Sequence, residues 1–438
     1  MKKYVAFLLA GVLGLSSLAG CGQAQETNTA DANQAGTASS AAVTAAAETT
    51  ASTATSEPAA EPVDIKIWHD GDESIMQTIA DRVNTELADD QITVTFEKKT
   101  DMPNQLKLYG NDPDNGPDMY FYAHDVLGTF VAMDILSPLS DVTDVDSVLA
   151  DALPLTVKAG QIDQTQYLLP VYFETLVFIY NKDLWEGEIP STTEDLYAYM
   201  TEHTDEAAGT YAVVNQHTNA YNVSPFINGF GGYILDENGK PGLNDPKTIE
   251  AAEYNKKFGQ LQADGDYNTV TTLFNEGKAA AIIGGPWLIS GIEEAGINYG
   301  IVSLADIKLP NGNGMAPFSG IQGAGVLKTA LADKKDAIAK VLTAMASPEV
   351  GIDLAVKSGC APANSKSYDD EQVSANEMIS AIQKTAETAQ PMPNIPEMNV
   401  MWTPAESMFV AINKNGEDAT QAANEAQQAA EQAIADMK

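Results

Sequence analysis

"VDIKIWHDGDESIMQTIADRVNTELADDQITVTFEKK", residues 63–99, reads as a complete strand–helix–strand unit. Val63, Ile65 and Ile67 alternate with polar neighbours, as a half-buried strand requires. Ile75, Ile79, Val83 and Leu87 then recur four apart and make one apolar stripe along a helix. Ile92, Val94 and Phe96 return to the alternation of a strand. Further along, "YLLPVYFETLVFIYNKDLW" (167–185) is a dense apolar run suited to buried strands. "DDEQVSANEMISAIQKTAET" (369–388) and "DATQAANEAQQAAEQAIADMK" (418–438) read as helices. Strands alternating with helices predict an α/β fold.

The N-terminus predicts export. Lys2 and Lys3 precede an apolar stretch too short to span a bilayer comfortably, and small residues follow, so residues 1–20 read as a signal peptide. Its ending, Leu18-Ala19-Gly20-Cys21, resembles the bacterial lipoprotein box, which makes Cys21 the expected lipidation site. Residues 21–61 are then the lipidated cysteine and a linker of Ala, Thr, Ser, Gln, Asn and Glu, too polar to offset the entropy of ordering. No other stretch is long and apolar enough for a transmembrane helix. With Cys21 lipidated, Cys360 has no cysteine to pair with and reads as a small packed residue.

The formal net charge of −37 argues against nucleic acid or an anionic bilayer surface as partner. Arg82 is the only arginine, and bidentate recognition of carboxylate or phosphate usually relies on arginine. A neutral polyhydroxy ligand therefore suits the chain better than an anion. From residue 62 onward the chain is too long for one core and long enough for two lobes.

"FYAHD" (121–125) brings Tyr122, His124 and Asp125 together at the end of an expected strand. A metal site, an acid–base centre and a sugar-holding surface are all conceivable there. Metal is disfavoured: the chain has only His69, His124, His203 and His217, with no HxxxH and no cysteine pair. Strand alternation points His124 away from its neighbours, which gives it a structural reading.

Seven segments, "KIWHDGDE", "NGPDMYFYAHDVLGTF", "LLPVYFETLVFIYNKDLW", "FNEGKAAAIIGGPW", "INYGIV", "MPNIPEMNVMW" and the Ala-rich last helix, occur in order from about residue 63 to the end. Together they closely resemble the maltose- and maltodextrin-binding proteins, the extracellular sugar-binding components of ABC transporters. The resemblance implies the two-lobed periplasmic-binding-protein fold, with a hinge and a ligand cleft between the lobes. Crossings between lobes are expected near 171–175, 317–323 and 371–377. The N-lobe would take 62–171 and 322–371, the C-lobe 176–316 and 378–438.

The resemblance also carries over to single residues. Trp287 and Trp402 match stacking tryptophans, Tyr221 a stacking tyrosine, and Tyr122 an aromatic for a sugar face. Asp72, Asp125 and Glu174 match hydroxyl-binding carboxylates, and Met392 lies in an intact "MPNIP". Flat rings cover the apolar face of a pyranose, and carboxylates accept directed hydrogen bonds from its hydroxyl rim. At other positions this chain departs from the best-known members. Glu73 stands in place of a Lys, Val126 of an Arg, Asn219 of a Glu and Glu406 of an Arg. The aromatic platform is kept while the hydrogen-bonding rim is rewritten. What the resemblance implies is a monomeric, cofactor-free binding protein, not an enzyme. It would capture maltooligosaccharides at the extracellular face of the cell membrane and pass them to ABC permease subunits, touching the membrane through its lipid only. Another neutral oligosaccharide, such as a xylo- or galacto-oligosaccharide, is one alternative. A glycoside hydrolase using Asp125 and Glu174 is another, since paired carboxylates about 5–10 Å apart can cleave a glycosidic bond.

Overall fold

Strand Val63–His69 occupies an interior position in its sheet and pairs in parallel with Ile92–Lys98 on one side and Met119–Ala123 on the other. With helix Glu73–Glu86 between the first two strands, this is the expected strand–helix–strand unit. Its interior place corrects the half-buried reading of the first strand. Trp68 and His69 are buried along with Ile65 and Ile67, because neighbours cover both faces of a central strand. Ile92–Lys98, at the sheet edge, keeps the clean alternation.

The computed structural model describes residues 62–262 and 265–437. The expected signal peptide, Cys21 and the linker lie outside the described residues. The first sheet runs Ala361–Pro362, Leu168–Thr175, Phe318–Leu327, Met119–Ala123, Val63–His69, Ile92–Lys98. Two short strands, Leu136–Ser137 and Gln390–Pro391, also pair with Phe318–Leu327. The second sheet runs Tyr299–Val302, Val177–Asn181, Ala279–Gly284, Tyr211–Val214. Only Leu176 separates Leu168–Thr175 of the first sheet from Val177–Asn181 of the second, so the run 167–185 supplies a strand to each.

Each sheet buries its own apolar cluster. Ile65, Ile67, Ile79, Val94, Val326 and Val341 belong to one, while Phe178, Phe226, Phe258, Met398 and Phe409 belong to another. Burying each such side chain contributes about 1.5–3 kcal/mol. Helix Trp402–Asn413 packs on the terminal helix Ala419–Asp436. The expected helix over 369–388 is two pieces, Glu371–Ser374 and Glu377–Ala386. Ala375 ends the first and Asn376 caps the second, its side chain accepting from the backbone N–H groups of Met378 and Ile379. Arg82 is structural: its guanidinium grips Asp353 at 2.8 Å and ties helix Glu73–Glu86 to Pro348–Ser358. Cys360 is free and buried, as a packed residue should be. Among the described residues no helix is long and apolar enough to cross a membrane.

Candidate functional site

The first sheet delivers three carboxylates to one place. His69 pairs with Phe121, so Asp70, one residue beyond, lies beside Tyr122 and accepts a hydrogen bond from its hydroxyl. Asp125 follows on the 3-10 turn His124–Val126 that caps the same strand end. Glu174 projects from Leu168–Thr175 opposite Gly320. A β-bulge at Val171, where the register slips between Gln322 and Gly323, interrupts the strand that carries Glu174. Gln322 Nε2 donates to Glu174 Oε1 at 2.8 Å.

Burial dominates the electrostatics of all three. It pushes Asp70 up to about 6 against the hydrogen bond from Tyr122, and Asp125 up to about 6 against the one from Trp402. It pushes Glu174 up to about 7 against the one from Gln322, while the charge of Asp70 raises it further. Burial also raises the Tyr122 hydroxyl, helped by the charges of Asp70 and Asp125.

His124 holds this arrangement in register. Its Nδ1 accepts from the Ile321 N–H at 3.1 Å, which leaves Nε2–H to donate to the Met392 carbonyl at 3.0 Å. The ring is buried, and burial lowers its pKa to about 4, so it stays neutral. The structural reading of His124 fits this geometry.

The elements of the second sheet bring the aromatic side. Tyr221 sits in the first turn of Ala220–Phe230, whose cap Asn219 accepts from the Asn222 N–H. Its hydroxyl donates to the Phe318 carbonyl at 3.4 Å. Burial raises that hydroxyl well above its ordinary value, with further lift from Glu174 and Asp125, so the tyrosine lies within reach of both carboxylates. Trp287 is 6.2 Å from Tyr221, ring to ring, and Trp402 is 6.2 Å from Phe318 in an edge-on pair. Trp402 Nε1 donates to Asp125 Oδ2 at 3.3 Å. Glu406, one turn on from Trp402, accepts from Asn219 Nδ2 at 2.8 Å, and burial raises its pKa.

Tyr122, Asp125, Glu174, Tyr221, Trp287, Met392 and Trp402 are therefore brought together, with the Asn219–Glu406 pair at their edge. Glu73 stands apart, whereas Asp72 acts on Tyr172 and Cys360 alongside Glu174. Asp72 caps helix Glu73–Glu86, accepting from the Ser74 N–H at 2.8 Å. It also lies within electrostatic reach of the Tyr267 hydroxyl on helix Tyr267–Asn275. Glu73 is two-thirds exposed, with Oε2 3.8 Å from the buried His69 Nε2. Asp70, Gln322, Phe318 and Tyr267 belong to the site's surroundings and were not singled out from the sequence. Only strand register could have revealed Asp70, although it lies inside the quoted "KIWHDGDE". A separate cavity of about 650 Å³ lies where Leu155 and Lys158 face Tyr233–Leu235. It shares Met392, His124 and Phe318 with the site but contains none of the carboxylates. Among the described residues no group of three or more His, Cys, Asp or Glu side chains could hold a metal ion.

Two sheets joined by shared chain crossings, with aromatic rings and carboxylates gathered beside those crossings, define a two-lobed solute-binding fold. Residues 78–381 match the family described as bacterial extracellular solute-binding proteins, and the chain belongs to that family. Among its relatives is a galactooligosaccharide-binding protein of Bacillus subtilis, 32% identical, with 72% of this chain and 76% of that one aligned. A maltotriose-binding protein of Pyrococcus abyssi is 30% identical over 80% of this chain and 78% of its own. A maltooligosaccharide ABC transporter solute-binding lipoprotein of Streptococcus pneumoniae is 31% identical over 72% and 76%. The fold matches a cyclo/maltodextrin-binding protein complexed with maltotetraose (TM-score 0.73, 25% identity, 86% of this chain and 99% of that one). It also matches the maltose/maltodextrin-binding domain of Bdellovibrio bacteriovorus bound to maltotriose (TM-score 0.76, 24% identity, 85% and 99%).

Proposed function

We propose that the protein captures maltooligosaccharides between its lobes and presents them to an ABC importer, without turning them over. The observation that carries this reading is the convergence of Tyr221, Trp287 and Trp402 with Asp125 and Glu174. Flat apolar surface and hydrogen-bond acceptors are what a pyranose needs on its face and its rim. The relatives named for maltotriose and maltooligosaccharides support the same substrate. On this reading the lobes are 62–171 with 322–371 and 176–316 with 378–438, Asp72 and Glu73 guard the cleft rim, and Met392 packs beneath the sugar. Cys21 carries the lipid that holds the monomer at the extracellular face of the cell membrane.

A second reading, galactooligosaccharide, is favoured by the Bacillus relative at 32% identity. A thermal-shift panel of maltotriose, maltotetraose and β-linked galactotriose tells the two apart. A true ligand at a hundred times its dissociation constant adds about 2.7 kcal/mol to stability. Stabilisation by the galactotriose alone overturns the maltooligosaccharide reading, and release of glucose or maltose from maltotriose overturns the non-enzymatic one. For the anchor, Cys21→Ala should release the protein into the medium. Membrane fractionation at the wild-type level would refute it.

A further inference from the structure

If the cleft holds an oligosaccharide, as proposed above, its charge narrows the class of ligand. Asp70, Asp125 and Glu174 come from three strands of one sheet, and Asp70 acts electrostatically on each of the other two. Among the described residues, no lysine or arginine lies within ion-pair distance of any of them. Lys98 acts on Asp70 only at longer range, so none of the three carboxylates has a cation in contact.

Asp125 adds an independent sign. It is only 6% exposed, its Oδ2 accepts from Trp402, and its Oδ1 is buried with no hydrogen-bond partner among the described residues. A buried acceptor left unpaired is costly, so this oxygen is built to receive a donor from a ligand. A sugar hydroxyl satisfies the oxygen but leaves the repulsion of Asp70 with Asp125 and with Glu174 in place. An ammonium group satisfies it and offsets that repulsion, with a charge-assisted hydrogen bond roughly twice as strong as a neutral one.

We propose that the cleft prefers an oligosaccharide bearing an ammonium group, an amino sugar, over its neutral parent, with the nitrogen against Asp125 Oδ1 and within reach of Asp70 and Glu174. The distinction is one of charge, since the hydroxyl and the ammonium are of similar size.

Titration calorimetry of the intact protein tests this with maltotriose, its 6-amino-6-deoxy derivative and the N-acetylated form of that derivative. The amine should bind about tenfold more tightly than maltotriose, about the difference one strong charge-assisted bond supplies. Acetylation, which removes the charge and keeps the nitrogen, should abolish the advantage. Asp125→Asn should bring the amine-to-maltotriose ratio close to one, and Asp70→Asn serves as the second variant should the first fail to fold. Maltotriose binding as tightly as its amine, or a preference that survives both substitutions, overturns the inference and leaves the maltooligosaccharide reading intact. If neither sugar binds, that reading falls and the inference falls with it.

Discussion

Trp402 and Asp125, 277 residues apart in sequence, meet through a 3.3 Å hydrogen bond from the indole Nε1 to Oδ2. The tryptophan opens the helix that packs on the C-terminal helix, and the aspartate closes a strand of the first sheet. One contact therefore joins the aromatic side of the site to its carboxylate side.

Trp402→Ala removes both the ring and the donor. Stacking and lost burial together predict a loss of about 2–4 kcal/mol in oligosaccharide binding, roughly 30- to 1000-fold in dissociation constant. Because Trp402 is partly exposed, the ligand-free protein should lose no more than the cost of leaving Asp125 Oδ2 unpaired, about 1–3 kcal/mol. Calorimetry and a melt on the same sample decide it. Unchanged affinity with a collapsed melting temperature would make Trp402 a core residue. Trp402→Phe keeps most of the ring, so the remaining loss in that variant measures the hydrogen bond to Asp125.

Glu174→Gln should change stability in a pH-dependent way. Glu174 titrates at about 7 when folded, against 4.5 ordinarily, and Asp70 and Asp125 at about 6 against 3.8. The folded protein thus binds more protons than the unfolded chain from about pH 4 to pH 7. The stability these groups contribute is present below pH 4 and is lost as pH rises through that window. His124 and His217, held near 4 by burial, act in the opposite sense and lose stability as pH falls from 6.5. The variant isolates the carboxylate. It should melt close to wild type at pH 4 and above it at pH 8. A difference independent of pH would refute the assignment.

His124→Phe leaves the Ile321 N–H and the Met392 carbonyl buried without their partner. An unmet buried polar group costs about 1–3 kcal/mol, so denaturant unfolding should show a loss of about 2–5 kcal/mol. His124→Asn, which can still donate or accept, should recover part of it. Wild-type stability in the Phe variant would show that the ring does not brace the site.

Gly285→Ala tests how Trp287 is placed. A Cβ on residue 285 would run into the six-membered ring of the Trp287 indole, so the ring must move. Oligosaccharide affinity should drop at least tenfold and the indole emission should shift, while the melting temperature stays within a few degrees of wild type. Unaltered affinity would remove Trp287 from the binding surface.

The sequence by itself determined the kinds of element and much of the site's chemistry. Alternation and fourfold spacing over 63–99 are local properties, and each is written in neighbouring residues. The ordered segments from "KIWHDGDE" to "MPNIPEMNVMW", through their family resemblance, offer Tyr122, Asp125, Glu174, Tyr221, Trp287 and Trp402 as candidate binding residues. Only the tertiary structure decided what depends on register and long-range pairing. It placed Val63–His69 inside the sheet, which buries His69. It set Asp70 against Tyr122 and put Phe318 between Tyr221 and Trp402. It also spent Asp72 partly on a helix cap and turned Glu73 to solvent. Pairing energies come from residues tens to hundreds of positions apart, so no local pattern records them. A carboxylate's burial and its neighbours, and hence its charge at neutral pH, exist only once the chain has folded.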